Sequence, residues 1–278
     1  MNASTLPYLS VIEFRGRDAA DFLHRQLSAD IAGLPAGGST FACLCQPKGR
    51  VIALLLAWRV DDAVRVICSA DLAESVAAWL GRFVFRDDVQ IALCDDWSVL
   101  GSLAVIPGGS AEPIAGLHYA IAERDENDGD TASTAAFRAA ELERGVAWLD
   151  ARTSETFLPQ MLGAEAAGAL SYRKGCYPGQ EIVARTHFLG RLKQRPVVIR
   201  AAAGAGLEPG GRVTAQGGPG GEAEASVVDR ALDAGGRCVA LLVVRSTEPF
   251  EIESLRSESG VVPVEATWLP VGQGSATT

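Results

Sequence analysis

No apolar run in this sequence is long enough to cross a membrane. The longest, Val51 to Trp58 (VIALLLAW), is far short of the roughly 20 residues a spanning helix needs and reads as a buried strand. The opening MNASTLPYLSVIEFRG has neither the basic start nor the apolar stretch of a secretory signal. CxxC pairs are missing, and the six cysteines at 43, 45, 68, 94, 176 and 238 follow no disulfide-framework rhythm. Reduced thiols in a cytosol are the expectation. Histidine is scarce: His24, His118 and His187 stand apart from one another, and neither a zinc set nor a Cys–His dyad is expected from them. Walker and Rossmann patterns are absent, and GAGLEPGG and GGPGG lack the strand-before, helix-after setting of a nucleotide loop. Positive charge is short as well, with 25 Lys and Arg against 34 Asp and Glu, a net charge of −9 and a pI of about 4.9. Such a surface repels polyphosphate, which argues against direct nucleic-acid or anionic-membrane partners. An acidic, cytoplasmic monomer without a metal site is what these absences leave.

What is present is ordinary globular material, 48% hydrophobic and 21% charged, in 278 residues. That length supports two or three compact units. The pattern predicts an N-terminal α+β domain over 1–95, a second α+β domain over 96–190 and a C-terminal β-barrel-like domain over 191–278. In the first, Asp18 is the expected N-cap of a helix whose apolar stripe is Phe22, Leu23, Leu27 and Ile31. Phe41–Cys45 and Val51–Val60 read as a hairpin joined by QPKGR, with a strand at Val64–Cys68 and a helix in DLAESVAAWLGRF after it. Strands are expected at Val89–Cys94, Val99–Ile106 and His118–Ala122. The acidic ERDENDGD, from Glu123 to Asp130, reads as a solvated loop rather than a calcium hand, and a helix over Ser133–Arg144 ends at Gly145. Past Gly190 glycine and proline punctuate short β-rich runs at Pro196–Arg200, Ala225–Val228, Cys238–Val244 and Val261–Trp268, the pattern of a small barrel or sandwich. The closing GQGSATT reads as a frayed tail.

One stretch carries more chemistry than the rest: RKGCYPGQEIVAR, Arg173 to Arg185. Arg173 and Lys174 precede Cys176, and Pro178 suits the first turn of a helix running to Gly190. Cys176 would then sit just ahead of a helix N-terminus, where backbone N–H groups and the two cations favour a thiolate. Glu181 complements the dipole, and Arg185 one turn later can pair with it. The residues alone also allow the plainer reading, a cysteine packed in the core behind a solvated charged rim. Cys43 and Cys45 share a strand face; core packing explains them, with a redox pairing of Cys45 and Cys176 left open.

KGCYPGQEIVAR resembles the signature of the YgfZ family of folate-binding proteins, Lys-Gly-Cys-aromatic-x-Gly-Gln-Glu followed by an arginine. Lys174, Gly175, Cys176, Tyr177, Gly179, Gln180, Glu181 and Arg185 supply every element. The likeness continues through RAAELERGVAWLD (Arg138–Asp150), FLPQMLG and ALSYRKGC, and more loosely through the N-terminal helix and the QPKGR turn. It implies an aminomethyltransferase-like α+β fold of three domains around a central opening, related to the T-protein of the glycine cleavage system. It further implies a tetrahydrofolate ligand, and a role in maintaining iron–sulfur client proteins and, through them, in tRNA modification. Carried over residue by residue, it makes Cys176 and Lys174 the reactive pair and places Phe137, Glu143 and Arg185 with the folate. A glutamate in the E-x-G step, here Glu143-Arg144-Gly145, would accept paired hydrogen bonds from a pterin, and Phe137 would offer it a stacking face.

One departure weighs against the transferase itself. Where the transferase has an acidic pair after a Gly-Gly turn, this chain has Gly49-Arg50-Val51-Ile52-Ala53-Leu54. Ile52 and Ala53 can neither take nor give a proton. The leading expectation is therefore a folate-binding accessory factor with a functional cysteine, ahead of a one-carbon transferase and of a module in which Cys176 only packs.

Overall fold

The structure, a computed structural model, describes residues 3–124, 131–190, 192–217, 221–257 and 260–270. Of the acidic stretch Glu123–Asp130, Glu123 ends a strand and residues 125–130 lie outside the described residues, as do those from 271 onward. No helix among those described is long and apolar enough to cross a membrane.

The chain opens with β1 (Ser4–Thr5), β2 (Leu9–Arg15), α1 (Ala19–Gln26), β3 (Ser39–Cys45), β4 (Val51–Val60), β5 (Ala63–Ser69), α2 (Ala73–Gly81) and β6 (Gln90–Leu93). Five of these form a sheet in the order β3-β4-β5-β2-β6. VIALLLAW is its heart, all but its last residue buried. The QPKGR hairpin forms as the sequence predicts: Gly49 takes φ +77°, and its N–H reaches the Gln46 carbonyl at 2.8 Å. Two details differ. Asp18 does not cap α1, because its backbone is not extended and its Oδ2 instead accepts from the Asp88 N–H at 2.8 Å. The helix also stops at Gln26, so Leu27, with an extended backbone, and Ile31, in a bend, reach the core from beyond it.

Next come β7 (Trp97–Ser102), β8 (Ala111–Ile114), β9 (Leu117–Glu123) and α3 (Thr131–Glu143). β1 leaves the first segment to join a second sheet, β1-β7-β9-β8. The strand expected over Val99–Ile106 ends at Ser102, whose hydroxyl accepts the Ala104 N–H and turns the chain. α3 ends as read, at Gly145 (φ +79°): Gly145 N–H bonds Leu142 O and Val146 N–H bonds Glu141 O, both at 2.9 Å, a Schellman closure. Coil and a short 3-10 turn (Pro159–Leu162) lead to α4 (Gln180–Phe188).

The C-terminal unit is a closed barrel of β10 (Arg195–Ala201), β11 (Arg212–Gly217), β12 (Gly221–Leu232), β13 (Cys238–Val244), β14 (Ser254–Ser257) and β15 (Gly260–Trp268), ordered β10-β13-β12-β11-β14-β15. β11 and β14 are additions to the sequence reading; their glycine-rich and polar surroundings hide them. β13, CVALLVV, is buried throughout for a reason its period of two explains. Ala240, Leu242 and Val244 fill the barrel, while Val239, Leu241 and Val243 join the main core. The barrel is thus docked on the body through one face of β13.

Candidate functional site

The Cys176 motif is built around close backbone approach. Gly179, at φ +83°, precedes the first residue of α4, and a Cβ there would lie 2.7 Å from Gln46 O and 2.8 Å from Gly49 Cα. Gly49 in turn, at φ +77°, would carry a Cβ in strained backbone and only 3.0 Å from Ile182 Cβ. The QPKGR turn therefore sits directly on the start of α4, and both glycines are required by that contact. Pro178 lies before the helix rather than in its first turn. Cys176 is exposed, four positions ahead of the first helical residue, and a helix dipole acts mainly within its first turn.

Lys174 does something else than the sequence implies. Its ammonium donates to the carbonyls of His24, Leu27 (2.5 Å) and Ala29 (3.0 Å), where α1 runs out. It thus collects one carbonyl from the last turn of α1 and two from the residues just past it. Burial pulls its pKa down to about 8 against the opposing pull of Asp30. Tyr177 is buried beside it, its ring centroid 5.3 Å from the ammonium and its hydroxyl without a partner among the described residues. Arg185 is exposed and forms no ion pair with Glu181 or any other described residue. His187 stacks on Tyr172 at 4.0 Å and meets Glu165 at 2.7 Å. Cys43 and Cys45 are free and fully buried, and burial pushes the Cys43 thiol up to about 12 and Cys45 higher than usual too. Among the described residues no three His, Cys, Asp or Glu side chains are grouped to hold a metal.

A second constellation lies where the three parts of the chain meet. Glu141, fully buried in α3, accepts from Tyr8 Oη (2.7 Å), Tyr119 Oη (2.7 Å), Trp148 Nε1 (2.8 Å) and Arg138 Nη1 (3.3 Å). Arg138 also binds Asp229 of the barrel strand β12 and lies over the Tyr8 ring, 4.5 Å from its centroid. Burial lifts the Asp229 carboxyl to about 6, and the neighbouring Arg138 guanidinium restrains that rise. Both tyrosines are raised well above their ordinary range, first by burial and then by Glu141. This fully paired network is the condition under which buried charge is tolerated.

Tyr8 and Arg138 form a wall shared by two clefts. One, of about 460 Å³, is bounded by Asp71 of the first segment, Trp148 and Asp150 of the second, and Glu208 and Asp229 of the barrel unit. The other, of about 350 Å³ and mostly apolar, lies between Pro7, the first turns of α3 and Leu232. Both are in the size range of small-molecule sites. The residues named from sequence are not among the lining of either cleft. Phe137 is 2% exposed, its ring engaged edge-on by Tyr119 at 5.4 Å and packed against Gly101, so it has no free face for stacking. Glu143 Oε1 is held by Arg200 Nη2 (2.7 Å) and Nε (3.1 Å), tying α3 to β10. Ile52 and Ala53 are buried in β4, at 5% and 1% exposure. Tyr8, Glu141 and Asp229 escaped sequence reading; the one local signal was Arg138 and Glu141 spaced i, i+3 on a helix.

With this geometry in place, likeness to known proteins becomes informative. No family model matches the chain. It is 26% identical over 219 residues to an uncharacterized protein of Haemophilus influenzae, covering 76% of this chain and 78% of that one. It is also 26% identical over 296 residues to the tRNA-modifying protein YgfZ of Klebsiella pneumoniae, covering 94% and 90%. Over most of its length the chain is thus similar to YgfZ proteins. Its fold matches the glycine cleavage system aminomethyltransferase T from Bartonella henselae with a TM-score of 0.64, over 94% of this chain and 83% of that one. At 14% identity that match speaks for the fold alone. The chain thus pairs an aminomethyltransferase-like α+β body with a closed six-stranded barrel.

Proposed function

We propose that this chain is a folate-binding accessory protein that holds a tetrahydrofolate-type ligand in the 460 Å³ cleft and uses Cys176 for a thiol-dependent step. That step serves iron–sulfur client proteins in the cytoplasm and, through them, tRNA modification. The observation that carries the folate reading is the state of Asp229. Its carboxylate accepts from Arg138, from Trp148 N–H (2.9 Å) and from Arg230 N–H (2.8 Å), while a carboxylate has about four acceptor sites. One site remains for an N–H donor in the cleft, and Trp148 and Tyr8 supply aromatic wall. A pteridine, flat and rich in N–H donors, fits that donor and acceptor set.

Within this reading the chain's residues bind and orient. Asp229 takes the pterin donors, Arg138 and Glu141 hold Asp229 and Tyr8 in place, and Phe137 braces Tyr119 from behind. Glu143 fixes the end of α3 against the barrel through Arg200. Lys174 pins the motif to α1, leaving Cys176 and Arg185 on the surface for a client. Aminomethyl transfer is disfavoured because apolar Ile52 and Ala53 leave no proton acceptor at those positions.

Titration with tetrahydrofolate, followed by Trp148 fluorescence and by thermal shift, tests the proposal. Saturable quenching with a raised melting temperature is expected, and no formaldehyde equivalent should be released. Asp229→Asn should lose more affinity than Glu143→Ala. The opposite ordering would return the pterin contact to Glu143, and absence of binding would end the folate reading.

A further inference from the structure

Resting on that folate reading, we infer that the cleft selects the pteridine head and gains nothing from a polyglutamyl tail. The reason is charge. Four carboxylates line it, those of Asp71, Asp150, Glu208 and Asp229, against three guanidiniums, those of Arg138, Arg152 and Arg230. Every one of the three is already committed. Arg152 pairs with Asp150 at 2.6 Å and lies 3.9 Å from Glu208; Arg230 pairs with Glu208 at 2.5 Å; Arg138 is shared by Glu141 and Asp229. Asp71 has no cation within ion-pair reach among the described residues and instead accepts from Ala151 N–H (3.0 Å) and Ser69 Oγ (2.7 Å).

A site that draws in a polyanion keeps unpaired Lys or Arg at its mouth, because field lines converge in a cleft walled by low-dielectric protein. Here each added γ-linked glutamate would bring a carboxylate to a rim with negative surplus. To be bound it would have to take Arg152 or Arg230 from an existing partner. Glu208 is the residue that decides this, since it alone among the lining acids contacts both rim arginines.

The test compares 6-methyltetrahydropterin, tetrahydrofolate monoglutamate and tetrahydrofolate triglutamate on the full chain by isothermal titration. The first two should bind within a few-fold of each other, and the triglutamate should bind equally or about threefold more weakly, a penalty that fades in high salt. Glu208→Gln, at an exposed position that should leave the fold intact, frees Arg230 and loosens Arg152. It should reverse the order, with the triglutamate becoming the tightest. A triglutamate already tenfold tighter on the unaltered chain, or a Glu208→Gln variant with unchanged ranking, overturns the selectivity. Failure of all three ligands to bind would instead overturn the folate reading on which it rests.

Discussion

The Cys176 turn and the Glu141 network are both places where polar groups leave water, yet they are held together in opposite ways. In the turn the work is done by backbone: two glycines touching, and one ammonium gathering three carbonyls. The thiol it presents stays outside. In the network the work is done by side chains from three parts of the chain, closed on one another with almost no access to solvent. The first arrangement displays an exposed thiol on a stiff support. The second defines the shape and the charge of a cleft. Under the proposed function, the cleft would take the small molecule and the turn would present the thiol, and neither arrangement can substitute for the other.

The comparison can be broken most forcefully at Arg138. Arg138→Ala leaves Glu141 and Asp229 as buried carboxylates without their cation, and should cost roughly 3–5 kcal/mol. Chemical denaturation would show it, together with loosening of the barrel from the body. Next in size is Gly179→Ala. A left-handed backbone and a Cβ 2.7 Å from Gln46 O force the two turns apart, a cost of roughly 2–4 kcal/mol. If Gly179→Ala were as stable as the parent, the two turns would not be in the contact described.

This contrast also explains what was legible in the sequence. KGCYPGQE is a contiguous string, so its glycines, lysine and cysteine could be read together. The hairpin at QPKGR, the Gly145 cap and most barrel strands were legible for the same reason, since each depends on neighbours a few residues away. The network was not. Glu141 finds Tyr8 at a separation of 133 residues, and Arg138 finds Asp229 at 91. Nothing local marks such partners. The partners of Lys174 were not legible either: its charge suggests a flank for Cys176, while its long stem lets the ammonium reach carbonyls near the end of α1.

A smaller effect should appear in the pH dependence of stability. Asp229 has its folded-state value raised from 3.8 to about 6, by burial, with Glu141 adding to the rise and Arg138 opposing it. Between those values the folded chain keeps a proton that the unfolded chain has released. The contribution of this carboxyl is therefore complete below pH 3.8 and is lost as pH rises through about 6. Asp229→Asn cannot release that proton. Relative to the variant, the parent should lose on the order of 1–3 kcal/mol across this window, read from denaturation midpoints at successive pH values. A flat difference would mean that Arg138 holds Asp229 ionised throughout.

The smallest effect expected on stability belongs to Cys176. Its side chain is exposed, so Cys176→Ala removes little packing and should shift stability by no more than about 0.5 kcal/mol. Tetrahydrofolate affinity should also be unchanged, because the thiol is not part of the cleft lining. If the thiol acts on a client, what should vanish is activity on iron–sulfur proteins, with fold and ligand binding intact. A Cys176→Ala variant that melts as early as Arg138→Ala would place the sulfur in the core and erase the distinction between the two regions. One that binds folate several-fold more weakly would join thiol and cleft into a single site.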